Sequence, residues 1–185
     1  MSFIISCSKR KNNPIDFQNF ESNIDSLSYA NLNQHRLKLI ENLGKNLEWT
    51  HTLPAWKLYS GKGSRLYPRI HIENWLKPCV NINIISALFG IVKHTDLLPY
   101  YDVTMMDYIE LQNQKIWQFW QENVNWVNYI DNDDINIVSP DYRLAINHHG
   151  NNLGVIPNID FGRGYSNLYN KGVWLNEQFT NINCI

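Results

Sequence analysis

The residues of this chain with the means to do chemistry fall where apolar runs break off. Residues 3–7 form a short apolar run that ends in Cys7-Ser8-Lys9-Arg10-Lys11. Val80, Ile82, Ile84 and Ile85 form a second, which breaks at Ser86-Ala87-Leu88-Phe89-Gly90 and then offers Lys93, His94, Asp96, Tyr100, Tyr101 and Asp102 in a short span. A third, from Ile135, ends in Ser139-Pro140-Asp141-Tyr142. A strand that gives way to a polar turn is where α/β proteins usually hold their ligands. Backbone N–H groups and cations at such a turn suit an anion, and carboxylates beside tyrosines suit general acid–base work or charge stabilisation. Nucleophilic cysteines are found beside cations, although a lone cysteine such as Cys7 is more often a small buried hydrophobe, and Lys9 to Lys11 fit an ordinary solvated turn equally well.

Other chemistries lack their patterns. The six histidines show no H-E-x-x-H and no Cys/His pair at zinc spacing, and His148-His149 beside Gly150 reads as a turn, so no metal or cofactor is expected. Asp131-Asn132-Asp133-Asp134 lacks the spacing and the Glu of a calcium loop. No G-x-S-x-G elbow supports a serine hydrolase. Tyr59-Ser60-Gly61 and the following Gly63 would let backbone approach a ligand, but they follow neither phosphate-loop order, and a plain turn is the simpler reading.

The elements that must position these residues follow from periodicity. Residues 26–44 carry Leu27, Ala30, Leu37, Ile40 and Leu43 at helical spacing, with Ser26 or Ser28 to start the helix and Gly44 to stop it. Ile116, Phe119, Trp120, Val127 and Ile130 predict one long helix over 108–130, with Phe119 and Trp120 in the core. Strands are expected at 3–7, 80–85 and 135–139, and a fourth short one at 153–156; residues 70–75 fit helix or strand. The tail mixes Arg163 and Lys171 with Tyr165, Tyr169 and Trp174, which suits stacking on bases or sealing the edge of the domain.

At 185 residues, 44% hydrophobic and 13% aromatic, residues 1–185 fit one compact α/β domain with a mixed central sheet flanked by helices. A net charge of -1 leaves nucleic-acid binding to a local patch. Cys7, Cys79 and Cys184 are odd in number and widely spaced, which argues against a disulfide framework and for a reducing compartment. With no signal-peptide pattern and no long apolar span, a cytoplasmic protein without a membrane partner is expected.

Three blocks then carry a resemblance. Residues 86–101, from Ser86-Ala87-Leu88-Phe89-Gly90 through Asp96 to Tyr101, resemble the S-G-L-Y-G-V-L-R-P-x-D-L-x-x-x-Y signature of the YaaA-like peroxide-stress protein family. Trp117-Gln118-Phe119-Trp120 is similar to its Y-Q-F-W helix, and Asn136 to Tyr142 to its N-L-A-S-x-E-Y segment. Cys7 to Lys11 resembles the C-S-x-x-K start of a neighbouring group in that superfamily, and Leu58-Tyr59-Ser60-Gly61 its L-Y-x-G block. The resemblance implies a positively lined cleft associated with DNA binding and protection from oxidative damage, and a superfamily suspected of acting on nucleobases or nucleosides.

Two functions follow as expectations. In the first, the cleft binds or processes a nucleobase, nucleoside or nucleotide, free or within DNA or RNA. Asp102, Asp96 and Cys7 are the catalytic candidates; Tyr59 and Tyr101 stack on the ring; Ser8, Lys9, Arg10, Ser60, Gly61, Ser86, Gly90, Lys93, Ser139 and Asp141 complete the binding set. In the second, the protein is a non-catalytic DNA-binding member of the oxidative-stress response, with Lys9, Arg10, Lys11, Lys93 and Arg163 on phosphates.

Overall fold

The computed structural model describes residues 2–146 and 153–184, apart from the Tyr165 side chain; His148, His149 and Gly150 lie outside the described residues. In chain order the first half contains β1 (Phe3–Ser6), α1 (Asn33–Asn42), β2 (Thr52–Pro54), α2 (Ala55–Leu58), α3 (Ile72–Trp75) and β3 (Ile82–Ser86). The second half contains β4 (Gly90–Lys93), β5 (Leu97–Pro99), β6 (Tyr108–Ile109), β7 (Gln114–Lys115), α4 (Ile116–Asn123), β8 (Ile135–Asn136), α5 (Pro140–Ile146) and α6 (Tyr165–Asn181).

Continuous apolar runs, as opposed to alternating ones, belong to strands covered on both faces. β1 is such a strand, and β3 is buried at every residue as well although Asn83 interrupts its apolar residues; the two run parallel with Phe3 opposite Ile82 and Ser6 opposite Ile85. β8 joins β1 in parallel, and β4 folds back antiparallel on β3, so the sheet order is β4-β3-β1-β8. This is a mixed α/β domain, and the carboxyl ends of its three parallel strands lie at one edge. Tyr67, Trp75 and Trp56 stack beside it, with centroids 5.6 Å and 5.9 Å apart. On the other flank Trp120 of α4 donates its indole N–H to the Ala87 carbonyl at 2.8 Å.

Local structure departs from periodicity where polar partners intervene. The helix expected over 26–44 forms only as α1, because the backbone N–H and hydroxyl of Ser28 both donate to Asp96 and hold that residue out of a helical ladder. The long helix expected over 108–130 is not there. Asn113 adopts φ 52 and closes a hairpin of β6 and β7, α4 occupies eight residues, and a 3-10 turn follows at 126–128. Ile116, Phe119, Trp120 and Ile130 are nevertheless buried while Val127 is exposed, so the periodicity reported burial at four of its five positions and not a continuous helix. Residues 70–75 resolve as the short α3; the strand at 135–139 keeps ladder pairing only at its first two residues; 153–156 contributes a single bridge, Val155 to Ile135.

The reading of three unpaired cysteines is corrected. Cys79 and Cys184 form a disulfide across 105 residues, leaving Cys7 as the free thiol. Nothing local marks the pair, because it is created when α6 packs on α3 and Asn74 binds the Asn176 backbone and side chain. With it goes the cysteine argument for a reducing compartment. Lys77 already holds the end of α6 through the carbonyls of Phe179, Thr180 and Ile182. Reduction of the bond is therefore expected to cost about 2 kcal/mol, the low end for disulfides in general and well below the ~4.7 kcal/mol that chain entropy alone assigns to a loop of about 100 residues. Urea unfolding with and without a thiol reductant measures it, and identical midpoints would refute it. Among the described residues no helix is long and apolar enough to cross a membrane.

Candidate functional site

Because β1, β3 and β8 run parallel, their terminal residues meet. The Ser6 and Ser139 hydroxyls are 3.1 Å apart, and the Ser139 N–H donates to Ser6 Oγ at 2.7 Å. Cys7 Sγ lies 3.0 Å from the Tyr142 hydroxyl, and the Tyr101 O–H donates toward the same sulfur at 3.8 Å. From Tyr101 the chain of hydroxyls continues to Ser86 Oγ at 2.8 Å and Tyr59 at 2.7 Å. Tyr67 reaches the rear of β1, donating to the Ser6 carbonyl at 2.8 Å. Burial raises Tyr59, Tyr67, Tyr101 and Tyr142 well above the usual phenol range, so all four stand as neutral hydroxyls.

In front of this hydroxyl layer opens a cavity of about 410 Å³. Its floor is made by Ser6, Cys7, Tyr67, Ser139 and Tyr142. Lys9, Arg10 and Arg65 supply cations to its walls, Asp141 a carboxylate, and Met105 and Met106 apolar surface. Lys9 and Arg10 are exposed.

Of the residues anticipated from sequence, Cys7, Ser8, Lys9, Arg10, Ser139 and Asp141 line this cavity. Tyr59, Ser86 and Tyr101 form the buried layer behind it, linked through the Tyr101 hydroxyl to Cys7. The others lie outside the lining. The Ser60 hydroxyl donates to the Trp56 carbonyl, Gly90 packs on the Trp120 ring at φ +68, and the Lys93 N–H donates to Asp96. Asp102 is exposed beside Asp107 in a separate depression.

Tyr67, Arg65 and the two methionines were not anticipated, since they come from segments that follow no recognisable strand. Tyr142 sits in the Ser-Pro-Asp-Tyr turn that was singled out, so its signal was present. Lys11 was expected on a phosphate, but its ammonium is buried with no hydrogen-bond partner among the described residues, 4.2 Å from the centroid of the Tyr101 ring. Burial lowers its pKa, against the opposing pull of Cys7, Asp102 and Asp107.

A family model described as "Peroxide stress protein YaaA" matches residues 1–171, a span that contains the sheet, the cavity and all three strand-end turns. The chain belongs to the YaaA family of peroxide stress proteins. Among curated proteins none matches it.

In this YaaA chain the signature residues 86–96 are held by a buried polar network. Arg36 of α1 has no exposed surface; its Nε donates to the Phe89 carbonyl at 2.9 Å and its Nη2 to the carbonyls of Ile91 at 2.8 Å and Ser28 at 2.9 Å. Asp96 closes the same network by accepting from Ser28 Oγ at 2.7 Å, Ser28 N–H at 3.1 Å and Lys93 N–H at 3.0 Å. Ser28 thus bridges a buried cation and a buried carboxylate. The serine, glycine and aspartate of the signature all lie in or against the turn this network fixes.

Proposed function

We propose that the cavity binds a phosphate-bearing nucleoside or nucleotide, free or at an accessible position in a nucleic acid. The observation that supports this most is a roughly nucleotide-sized cavity whose exposed cations lie in the same enclosure as a floor of neutral hydroxyls and a thiol. Lys9 and Arg10 hold the phosphate. Ser139 and Asp141 take the ribose or base polar groups, and Tyr67, Tyr142 and Met105 flank the ring.

Cys7 is the group we place at the reacting centre. Tyr142 and Tyr101 both bring an O–H to its sulfur and are able to donate to a thiolate. Tyr59 and Ser86 hold Tyr101 in place. Asp96, with its carboxylate occupied by three donors, is a positioning residue in this scheme, and Asp102 acts at a distance through the charge of Lys11.

A panel of nucleosides and nucleotides is therefore expected to include members that raise the melting temperature by several degrees at saturation. Replacing Lys9 and Arg10 together by alanine weakens the phosphate-bearing ones about a hundredfold and leaves the nucleosides nearly unchanged. Cys7→Ser retains binding and loses product formation, followed by mass spectrometry. A panel with no thermal shift sinks the reading. Duplex DNA bound with an affinity that falls steeply with salt and is lost in the same double variant supports instead the non-catalytic DNA-binding role.

A further inference from the structure

A second, smaller pocket shares walls with the first. Ser139, Asp141, Tyr142 and Leu168 line the main cavity, whereas Arg143, Asn167 and Lys171, on the same two helices, line a pocket of about 190 Å³ closed by Ile137 and Phe161. Lys171 is 6% exposed. Among the described residues its ammonium donates one hydrogen bond, to the Ile137 carbonyl at 2.9 Å, and it lies 5.8 Å from the Phe161 centroid, so two of its three N–H groups have no partner there. The neighbouring charge is of the same sign. Arg143 reaches the Val138 carbonyl only at 3.5 Å, and among the described residues its buried Nε has no hydrogen-bond partner.

Two cations in one partly dry pocket repel each other and are each poorly solvated, an arrangement that is costly unless an anion joins them. Burial and then the charge of Arg143 bring the Lys171 pKa down to about 8. Asp160 also lines the pocket, but its Oδ1 accepts the Gly162 N–H at 2.8 Å, and among the described residues its carboxylate forms no ion pair with Lys171 or Arg143. The volume is too small for a nucleotide and sufficient for a tetrahedral ion.

We infer that the pocket between Arg143 and Lys171 is a binding site for a small oxyanion of the phosphate class, held by the Lys171 ammonium and the Arg143 guanidinium. It is separate from the nucleotide cavity and does not depend on that assignment. Leu168 faces one pocket while Asn167 and Lys171 face the other, so an ion bound here fixes helices α5 and α6 behind the wall of the main cavity.

Inorganic phosphate titrated calorimetrically into the full chain tests this. The parent for the test is the Lys9→Ala, Arg10→Ala double variant, which removes the phosphate-binding cations proposed for the main cavity. This parent is expected to bind phosphate saturably and to gain thermal stability with it. Adding Arg143→Gln weakens the binding about tenfold or more and removes the gain. Adding Lys171→Met does the same; should that variant fail to fold, the half-buried Arg143→Gln carries the test alone. Absence of saturable binding in the parent overturns the inference, and so does binding that survives Arg143→Gln at full strength. Failure of nucleotides to bind the unaltered chain would count only against the main-cavity reading.

Discussion

Gly61→Ala is expected to destabilise the protein by about 3 kcal/mol and to abolish ligand binding in the main cavity. A β-carbon at this position would stand 2.4 Å from the Lys11 carbonyl carbon, 2.5 Å from its oxygen and 2.7 Å from its nitrogen. All three contacts are backbone, so no side chain can rotate away. The Lys11 segment cannot retreat cheaply either. The next residue is fixed by the Asn12 N–H on the Leu58 carbonyl and the Asn12 side-chain amide on the Lys57 carbonyl, both at 2.7 Å. The inserted methyl must therefore part α2 from the loop that carries Cys7, Ser8, Lys9 and Arg10. The first contacts to go are the Lys11 ammonium over Tyr101 and the Cys7–Tyr142 hydrogen bond.

Gly63→Ala is the control. Its β-carbon would meet only the Arg10 side chain, at 3.7 Å, so its cost comes from φ +90 alone and is about 1 kcal/mol. Urea unfolding measures the two stabilities and calorimetry the binding. A Gly61→Ala protein as stable as its parent, or one that binds normally, would show that the loop is not wedged as described.

This glycine shows how much of the site could be read from sequence. Gly61 was expected to let backbone come close to a ligand, and backbone does come close there, but it belongs to the chain's own Cys7–Lys11 loop. The residue type was informative and the identity of the partner was not. The central strands of the mixed sheet were legible because residues 3–7 and 80–85 are rich in apolar residues that break off into polar turns, and those exits marked one edge of the sheet. Tyr67 and Arg65 were not legible, since a residue delivered by a long loop carries no periodic signal. Asp96 was harder to read for a related reason: a carboxylate among tyrosines reads as chemistry, and two of its three donors come from Ser28, 68 residues away, with the third from the Lys93 N–H. The long helix over 108–130 failed because burial at three- and four-residue offsets is also produced by separate short pieces packed on one core.

The largest loss of stability is expected from Arg36→Ala, about 3–5 kcal/mol. Removing the guanidinium leaves the Phe89, Ile91 and Ser28 carbonyls buried without their donor and leaves Asn33 Oδ1, its fourth partner at 2.7 Å, unpaired. It also removes the positive charge that faces the buried Asp96. Burial lowers the arginine's pKa to about 10, with Asp96 pulling the other way, so the group is still charged at neutral pH and its loss uncovers a carboxylate. Arg36→Lys should recover less than half of the deficit, because a single ammonium cannot reproduce the planar fork that reaches three separate carbonyls. Arg36→Met tests packing against charge: it restores the side chain's apolar stem but none of its donors, and is expected to remain within about 1 kcal/mol of the alanine variant. Asp96→Asn, combined with Arg36→Ala in a double-mutant cycle, should show a coupling of about 1–2 kcal/mol through Ser28. Chemical denaturation followed by circular dichroism supplies all four numbers. A loss below about 1 kcal/mol for Arg36→Ala would mean that the Ser86–Gly90 turn stands without α1. The signature would then have to be explained by what its residues do to a ligand, since they would no longer be needed to hold Ser86 and Tyr101 against the Cys7 sulfur.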